Sequence, residues 1–424
     1  MLKVLKDTIH FYYSLIGLPI TFFSTRKTPP KLQQAFLLAP YMPPRVNGGV
    51  YRPLSWLKYS GDNNWQLTVF TKHVSGSGGE AGKHLFKQLP DGALIRYIKP
   101  SLLEPSWRLT PKVDGSILTA LEIAKQALRE IDLNEQKPSV IVATGPSFDF
   151  FIAAYWISKA ADIPLVIDYR DEWTQNPFPF VTVGRDDRKW EQRIFKHARN
   201  IIFTTPSMLE HQANRFKRKN GLCVIYNGWE ESEVSLEKRS SERDGDEIKL
   251  VYAGVLAEHS NPKSFFNSIL KLPQEIKKRI KITLLGDMSS DMENVVSHFS
   301  KLINIQLFAS VSRNKAINIM SECDYLLLFA TPNMKRYIPG KLFDYASSGT
   351  PILAYGHEGE ITNCIYEGKL GVFCPEGNCK KLTSILLNNE INYFKDCHEL
   401  RNKWLKNKSR KYQAKAFFDL LNSV

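Results

Sequence analysis

Residues 335–360 read KRYIPGKLFDYASSGTPILAYGHEGE, and they place a turn, a helix and a strand in close succession. Residues 338–340, Ile-Pro-Gly, predict the turn, because proline fixes φ and glycine tolerates positive φ. Residues 341–348 carry apolar side chains along one side and predict a short helix. Gly349 is placed to end that helix, and residues 351–355, Pro-Ile-Leu-Ala-Tyr, predict a buried strand.

The turn before this helix predicts a site for an anion. The first amides of a helix are unpaired and point outward, so they attract negative charge. Gly340 belongs to the turn, and Lys341 puts a cation at the same place. Asp344 lies one turn further along on the same side, where its carboxylate could accept hydrogen bonds from sugar hydroxyls. The alternative is a core helix beside a strand, with Asp344 merely solvated.

Residues 164–173, PLVIDYRDEW, are the most informative stretch of the first half. The apolar residues predict a strand, and charged residues are concentrated where that strand ends. Ligands of open α/β sheets bind at the carboxyl ends of the strands. Asp171 is therefore a candidate general base or hydroxyl-orienting group, and Arg170 could hold a phosphate with two hydrogen bonds. The alternative is an ion pair of Arg170 with Asp171 or Asp168 that only holds the loop in place.

Buried apolar strands alternate with helices along most of the chain, which predicts an α/β protein. The pattern starts near residue 35 with AFLLA and restarts near residue 249 with KLVYAG. The segment between them, SLEKRSSERDGDE, is charged and poor in apolar residues, as linkers between domains are. The predicted parts are an amino-terminal extension (1–33), a first domain (34–234), a linker (235–247), a second domain (248–405) and a terminal helical segment (406–424).

The stretch 335–360 and the Asp-x-Arg-Asp-x-Trp pattern of residues 168–173 resemble glycosyltransferases of the GT-B fold. Within that fold they are similar to the family-four-like group that builds bacterial surface polysaccharides. The resemblance implies two Rossmann-like domains that face each other across a cleft, and a last helix that crosses back to the first domain. The pattern departs at Arg336, where the family carries the first of two glutamates. In the family, the contact to the transferred sugar depends on that position. Retention of configuration, which is the default of the family, depends on it as well.

The resemblance also implies a set of site residues. The donor diphosphate would be held by glycine amides and cations, the ribose by Asp344, and the base near Arg313. The donor-binding residues would then be Gly48, Gly49, Gly254, Lys263, Arg313, Gly340, Lys341, Asp344 and Glu360. Asp171, with Arg170 beside it, would act on the acceptor. No metal or cofactor is needed if amides and cations neutralise the leaving diphosphate.

The composition of the chain limits the classes of binding partner that we expect. The chain has 424 residues and a formal net charge of +14, so anionic partners such as nucleotides, lipids or nucleic acids suit it. We see no nucleic-acid-binding module among its motifs, and we predict no nucleic-acid partner. The six cysteines form no CxxC pair, which is typical of reduced thiols in a cytoplasmic protein.

The amino-terminal segment 9–23, IHFYYSLIGLPITFF, is apolar and aromatic with cations on both sides. It is shorter than the roughly 20 residues that a spanning helix needs. Two interpretations remain open, an interfacial anchor on an anionic membrane face and an extra helix packed on the first domain.

We therefore expect a glycosyltransferase that uses a nucleotide sugar and a saccharide or lipid-linked saccharide acceptor, in cell-surface polysaccharide biosynthesis. The expected location is the cytoplasm, with peripheral contact to the inner membrane face. A GT-B scaffold without activity is the alternative that Arg336 favours, and a charge-driven binder of lipid or nucleic acid is a third.

Overall fold

The computed structural model describes residues 32–76, 78–99, 112–133, 137–231, 246–309, 313–388 and 397–424. The described chain forms two compact units. The first runs to Asn227 and also contains Gln413–Val424, and the second is Gly228–Tyr412. Most of the predicted extension (1–33) and linker (235–247) lies outside the described residues.

The first unit is built on a seven-stranded sheet in the order β3-β2-β1-β4-β5-β6-β7. All of its neighbouring strands are parallel. Its strands are β1 (Gln33–Leu38), β2 (Trp65–Lys72), β3 (Leu94–Ile98), β4 (Val140–Gly145), β5 (Leu165–Tyr169), β6 (Asn200–Phe203) and β7 (Leu222–Val224). Its helices are α1 (Tyr51–Lys58), α2 (Gly79–Phe86), α3 (Ile117–Leu133), α4 (Asp149–Ala161), α5 (Asp187–His197) and α6 (Pro206–Phe216).

The second unit contains a six-stranded parallel sheet in the order β10-β9-β8-β11-β12-β13. Its strands are β8 (Ile248–Ala253), β9 (Ile280–Leu285), β10 (Ile305–Phe308), β11 (Tyr325–Ala330), β12 (Ile352–Gly356) and β13 (Gly371–Pro375). Its helices are α7 (Lys263–Leu270), α8 (Gln274–Arg279), α9 (Ser290–Phe299), α10 (Arg313–Ser321), α11 (Gly340–Ser347), α12 (Glu360–Glu367), α13 (Cys379–Asn388) and α14 (His398–Asn407). The predicted α/β class with two Rossmann-like domains is confirmed.

The last helix, α15 (Arg410–Asn422), begins in the second unit and ends in the first. The ring of Phe417 stacks on Trp56 of α1, with centroids 4.0 Å apart and planes 5° from parallel. Phe418 packs on Trp65 at the start of β2. Phe417 and Phe418 are fully buried with the apolar side chains of β1, β2 and β4, so the end of the chain completes this core.

Two helices of the first unit lie in glycine-rich or charged stretches of the sequence. Helix α2 starts at Gly79, within a glycine-rich stretch. Helix α5 is amphipathic: Trp190, Glu191 and Ile194 are buried, and its basic residues face solvent. The buried carboxylates of α5 have partners inside the protein.

The described helices include none that is both long enough and apolar enough to cross a bilayer. All six cysteines are free thiols.

Candidate functional site

The strand order of each sheet reverses at one place, and that place marks where a ligand is expected. The reversal lies between β1 and β4 in the first unit and between β8 and β11 in the second. In doubly wound sheets, the loops at the carboxyl ends of these strands leave a crevice for ligands. Several predicted site residues lie in loops at the carboxyl edge of one of the two sheets.

In the second unit, Lys341 reaches the carboxyl end of β8 from the first turn of α11. Its Nζ donates a hydrogen bond to the Tyr252 hydroxyl, lies 3.9 Å from the centre of the Tyr252 ring, and is 3.4 Å from the Val255 carbonyl oxygen. Tyr345 anchors the same helix, because its hydroxyl donates to the Ala253 carbonyl (2.9 Å) and accepts from the Ala253 amide (2.7 Å). The fold thus fixes a cation above the loop that follows β8.

Gly254 begins that loop and is constrained in two ways. Its φ is +120°, a region that side chains other than glycine rarely adopt. A Cβ at this position would lie 3.3 Å from the Lys341 Nζ. Glycine therefore allows the backbone and the lysine to approach each other closely.

The electrostatics of this place favour an incoming anion. Burial among protein atoms lowers the pKa of Lys341 to about 7, and the Asp344 carboxylate offsets part of this effect. Burial also lowers the pKa of His259, and the Lys341 charge lowers it further. An anion at this place would stabilise the protonated lysine, and the amides at the start of α11 add to the positive potential.

The other predicted donor residues of the second unit have different surroundings. Asp344 is half-buried in α11, and Lys263 is exposed at the start of α7. Glu360 is only 3% exposed, and its charge acts on the half-buried Lys408. Arg313 is the first residue of α10, and its side chain lies outside the described part of the structure. Their roles in donor binding stay predictions.

In the first unit, Asp168 at the end of β5 is fully buried and has a partner that the sequence did not suggest. Arg52 of α1 donates to both carboxylate oxygens of Asp168, at 3.0 and 2.7 Å. Its third nitrogen donates to the Tyr226 carbonyl oxygen at 2.8 Å, and the Thr144 hydroxyl donates to Asp168 at 2.7 Å. The ion pair of Asp168 is therefore with Arg52, 116 residues away in the chain, and not with Arg170.

Arg170 is buried and joins three loops at the same edge of the sheet. Its guanidinium donates to the carbonyl oxygens of Gly49 (2.6 Å), Gly145 (3.2 Å) and Pro146 (2.5 Å). It also lies 5.5 Å from the centre of the Tyr41 ring, and burial lowers its pKa. Through these contacts, Arg170 holds the loops after β1 and β4 against β5. Its predicted catalytic role stays a prediction.

The two glycines of the loop after β1 differ in their surroundings. A Cβ on Gly49 would lie 2.5 Å from the Arg170 Nη1 and 2.6 Å from Tyr41, whereas a Cβ on Gly48 would meet open space. The Gly49 amide donates to the Asn47 side chain at 3.0 Å. Close packing with Arg170 is thus a physical reason for glycine at position 49, and the predicted contact of both residues with a diphosphate stays a prediction.

Asp171 follows Arg170 and has the properties of a base. Its side chain is partly exposed, and within the described chain no hydrogen bond to its carboxylate is found. Burial raises its pKa to about 6, although the Arg170 charge offsets part of this rise. A carboxylate with a raised pKa and no hydrogen-bond partner among the described residues is suited to accept a proton from a substrate hydroxyl.

The segment after Asp171 is held by a buried polar network that sequence reasoning missed. Glu172 is fully buried and accepts hydrogen bonds from His211 Nδ1 (2.5 Å) and Gln212 Nε2 (2.7 Å) of α6. Arg215, one turn later, donates to Glu191 and Thr174 at 2.8 and 2.6 Å. The helical spacing of these α6 residues was the available signal, but their partners lie on other elements.

The described residues contain no group of three or more His, Cys, Asp and Glu side chains arranged to hold a metal ion.

Comparisons with known proteins agree with the fold described above. Residues 65–228 match the family model of the glycosyl transferase 4-like domain. A glycosyltransferase from Rickettsia africae is 13% identical with a TM-score of 0.64, over 93% of this chain and 99% of its own. Anabaena HepE, solved with UDP and glucose, is also 13% identical with a TM-score of 0.64, over 92% and 100%.

The apo form of the lipopolysaccharide outer core galactosyltransferase WaaB gives the same identity of 13% and TM-score of 0.64, over 92% of this chain and 99% of its own. A search of curated protein sequences gave no match.

Residues 65–228 thus match a glycosyl transferase 4-like domain, and the two parallel-sheet units of the chain have the fold of the GT-B glycosyltransferases. The resemblance that the sequence indicated is confirmed, and the findings support an enzyme of the glycosyltransferase kind.

Proposed function

We propose that the protein transfers a sugar from a nucleotide-sugar donor to a saccharide or lipid-linked saccharide acceptor, without a metal, in cell-surface polysaccharide biosynthesis. The observation that carries the proposal is the position of Lys341 beside Gly254, at the switch point of the second sheet and at the start of α11. A pyrophosphate matches this place in charge and in its demand for amide donors.

The leaving group is the nucleoside diphosphate. When the bond between the anomeric carbon and the phosphate oxygen breaks, negative charge accumulates on the diphosphate. The protonated Lys341 and the amides at the start of α11 would stabilise that charge. HepE was solved with UDP, so uracil nucleotides are the first donors to test. Retention of configuration is the expected outcome from the family resemblance, and it requires the acceptor to attack the anomeric carbon from the face that the diphosphate leaves.

Asp171 would act on the acceptor. The acceptor hydroxyl oxygen forms the new bond to the anomeric carbon, and its proton goes to the Asp171 carboxylate, or Asp171 orients the hydroxyl by a hydrogen bond. The raised pKa of Asp171, to about 6, supports the first role, because such a carboxylate is ionised at neutral pH and is still basic enough to take a proton.

We propose a cytoplasmic location with peripheral contact to the inner membrane face. The free cysteines and the net charge of +14 support it, since reduced thiols are typical of the cytoplasm and cations favour anionic lipid.

Calorimetric titration with UDP and GDP tests the donor site. We expect Lys341→Met to weaken binding of the preferred nucleotide about tenfold to hundredfold, because a charge-assisted contact to phosphate is removed. Asp344→Ala should weaken it as well. Lys278→Met, on an exposed lysine of α8, is the matched control and should bind as the wild type does. Unchanged affinity in both Lys341→Met and Asp344→Ala would reject the assignment.

A catalytically inactive GT-B scaffold, or a nucleotide-binding assembly partner, is the second candidate. Arg336 favours it, because this position carries a glutamate in the family that the sequence resembles. A panel of nucleotide sugars distinguishes the two. Slow hydrolysis of one donor supports the enzyme, nucleotide binding without any turnover supports the partner, and no thermal stabilisation by any nucleotide supports the scaffold.

A further inference from the structure

Helix α5 and its flanks turn charge of a single sign outward. Every acidic residue of the stretch 185–199 is buried, namely Asp186, Asp187 and Glu191. The exposed basic residues of the same stretch are Arg185, Arg188, Lys189, Arg193, Lys196 and Arg199. At about 100° per residue, the four basic residues within α5 fall inside about 140° of its circumference. We call this surface the α5 basic face.

The fold keeps the three acids turned inward. Asp187 accepts hydrogen bonds from the amides of Asp114 and Gly184, at 3.0 and 2.7 Å. Glu191 accepts from Thr174 and Arg215, at 2.5 and 2.8 Å. These carboxylates cannot turn outward without leaving buried donors unpaired, so tertiary contacts maintain the charge of the face.

Asp186 is held in the same way, since it accepts from the Lys112 amide at 3.0 Å. Arg185 also donates to Asp186 at 3.0 Å, so its charge is partly neutralised. The charge of the α5 basic face therefore comes mainly from Arg188, Arg193, Lys196 and Arg199.

Exposed apolar side chains lie in the segment that leads into this helix. Phe180 is 55% exposed and Val183 is 43% exposed. Phe178 is buried and its ring stacks on Phe180, with centroids 5.4 Å apart and planes 17° from parallel. Phe178 therefore supports Phe180 from below and leaves one of its faces to solvent.

We propose that the α5 basic face and the Phe180–Val183 segment together dock onto an anionic lipid bilayer. The cations would contact lipid phosphates, and Phe180 and Val183 would enter the boundary between headgroups and acyl chains. Phe180 follows Asp171 by nine residues, so docking would hold Asp171 within about 30 Å of the membrane. The docking is independent of the sugar transfer proposed above, and its test uses neither donor nor acceptor.

A lipid surface fits these observations better than a nucleic acid does. Cations alone would suit either polyanion, but Val183 is aliphatic and offers no stacking surface to a base. Apolar side chains beside exposed cations are the combination that interfacial membrane binding uses.

The test is co-sedimentation of the full-length protein with phosphatidylcholine vesicles, with and without phosphatidylglycerol, at physiological salt. The first variant reverses four charges: Arg188→Glu, Lys189→Glu, Arg193→Glu and Lys196→Glu. Its matched control makes the same change in net charge on exposed lysines of the second unit: Lys271→Glu, Lys278→Glu, Lys380→Glu and Lys381→Glu. A third variant combines Phe180→Ser with Val183→Ser and leaves the charge unchanged.

We expect the wild type to bind vesicles that contain phosphatidylglycerol and to bind pure phosphatidylcholine weakly. The α5 variant should lose at least about hundredfold in partition, since each basic residue near such a surface is worth about fivefold. The control should lose less than about fivefold. The Phe180 and Val183 variant should lose about tenfold in partition onto vesicles, because less apolar surface is inserted. Salt should release a larger share of its remaining binding than of the wild-type binding, since that remainder is mainly electrostatic.

Four results would overturn the proposal: no vesicle binding by the wild type, equal losses in the two charge variants, full binding by the α5 variant, or binding of an oligonucleotide but not of vesicles. Arg193 lies over the Trp190 ring at 4.9 Å, so thermal unfolding of each variant is measured alongside. If the fourfold variant unfolds, Arg188→Gln with Lys189→Gln and Lys196→Gln replaces it, with a smaller loss expected in the same direction.

Discussion

At the scale of single residues, Lys341 is held where it can gain or lose a proton near neutral pH. Burial lowers its pKa to about 7, from an ordinary value of 10.5. The groups that act on it are the Tyr252 hydroxyl, His259 and Asp344. A bound diphosphate would favour the protonated form and return the pKa of Lys341 toward its ordinary value.

This exchange predicts how nucleotide affinity depends on pH. Below about pH 7 the lysine is already protonated, so it adds no pH dependence. Above about pH 7 binding must take up a proton, and affinity should fall by up to about tenfold per pH unit. Calorimetric titration of UDP in two buffers with different ionisation enthalpies measures both the affinity and the number of protons taken up on binding. Lys341→Met in the same buffers gives the pH dependence that comes from the nucleotide itself, which is then subtracted. A wild-type affinity that is flat between about pH 7 and pH 9 would contradict this prediction.

A second residue-scale prediction concerns Arg52. Its side chain is 4% exposed and pairs with a fully buried carboxylate. Arg52→Ala would leave Asp168 buried and charged without its partner, and should reduce the free energy of unfolding by about 3–5 kcal/mol. Urea denaturation of the single and double variants checks the coupling. Adding Asp168→Ala should recover part of the loss, whereas strictly additive effects would mean that the pair does not act as a unit.

At the scale of secondary-structure elements, α15 stabilises the first unit from the opposite end of the chain. Phe417 is fully buried and stacked on Trp56. Phe417→Ala should therefore cost about 3–5 kcal/mol of unfolding free energy in the first unit. Tyr412→Ala, on an aromatic residue of the same helix that is 49% exposed, is the control and should cost less than about 1 kcal/mol. Chemical denaturation followed by circular dichroism distinguishes them, and similar losses would show that burial of Phe417 is not what stabilises this core.

At the scale of the whole molecule, the two units contribute groups that titrate at different pH values. Asp171 of the first unit has a pKa of about 6 and must be ionised to act as a base. Lys341 of the second unit has a pKa of about 7 and must be protonated to bind a diphosphate. If the proposed roles are correct, kcat/KM should rise as Asp171 loses its proton and fall as Lys341 loses its own, which gives a narrow bell-shaped profile.

Single variants assign the two limbs of that profile. Asp171→Asn should remove the acidic limb and lower kcat about 10²- to 10⁴-fold, with nucleotide affinity unchanged. Lys341→Met should remove the basic limb and weaken donor binding. The release of UDP from a nucleotide sugar, followed from about pH 5 to pH 9, gives the profile. An acidic limb that persists in Asp171→Asn would mean that another group acts as the base.

The sequence by itself determined the α/β class, the two-domain pattern and the segments that carry the candidate site. Apolar strands, helical spacing and turn residues are local signals, so 335–360 and 164–173 could be interpreted without knowledge of the rest of the chain. Lys341 and Asp171 became candidate site residues in this way, because strand ends and helix starts can be located from such signals.

Only the tertiary structure decided what surrounds those residues. Three features depend on parts of the chain that are far apart in sequence. They are the pairing of Asp168 with Arg52, the burial that lowers the pKa of Lys341, and the inward direction of the acidic side chains of α5. Spacing along a chain does not specify such contacts, since they depend on how strands are ordered in a sheet and on which helix face packs against it. Burial and charge pairing, which set proton affinities, exist only once those elements have packed.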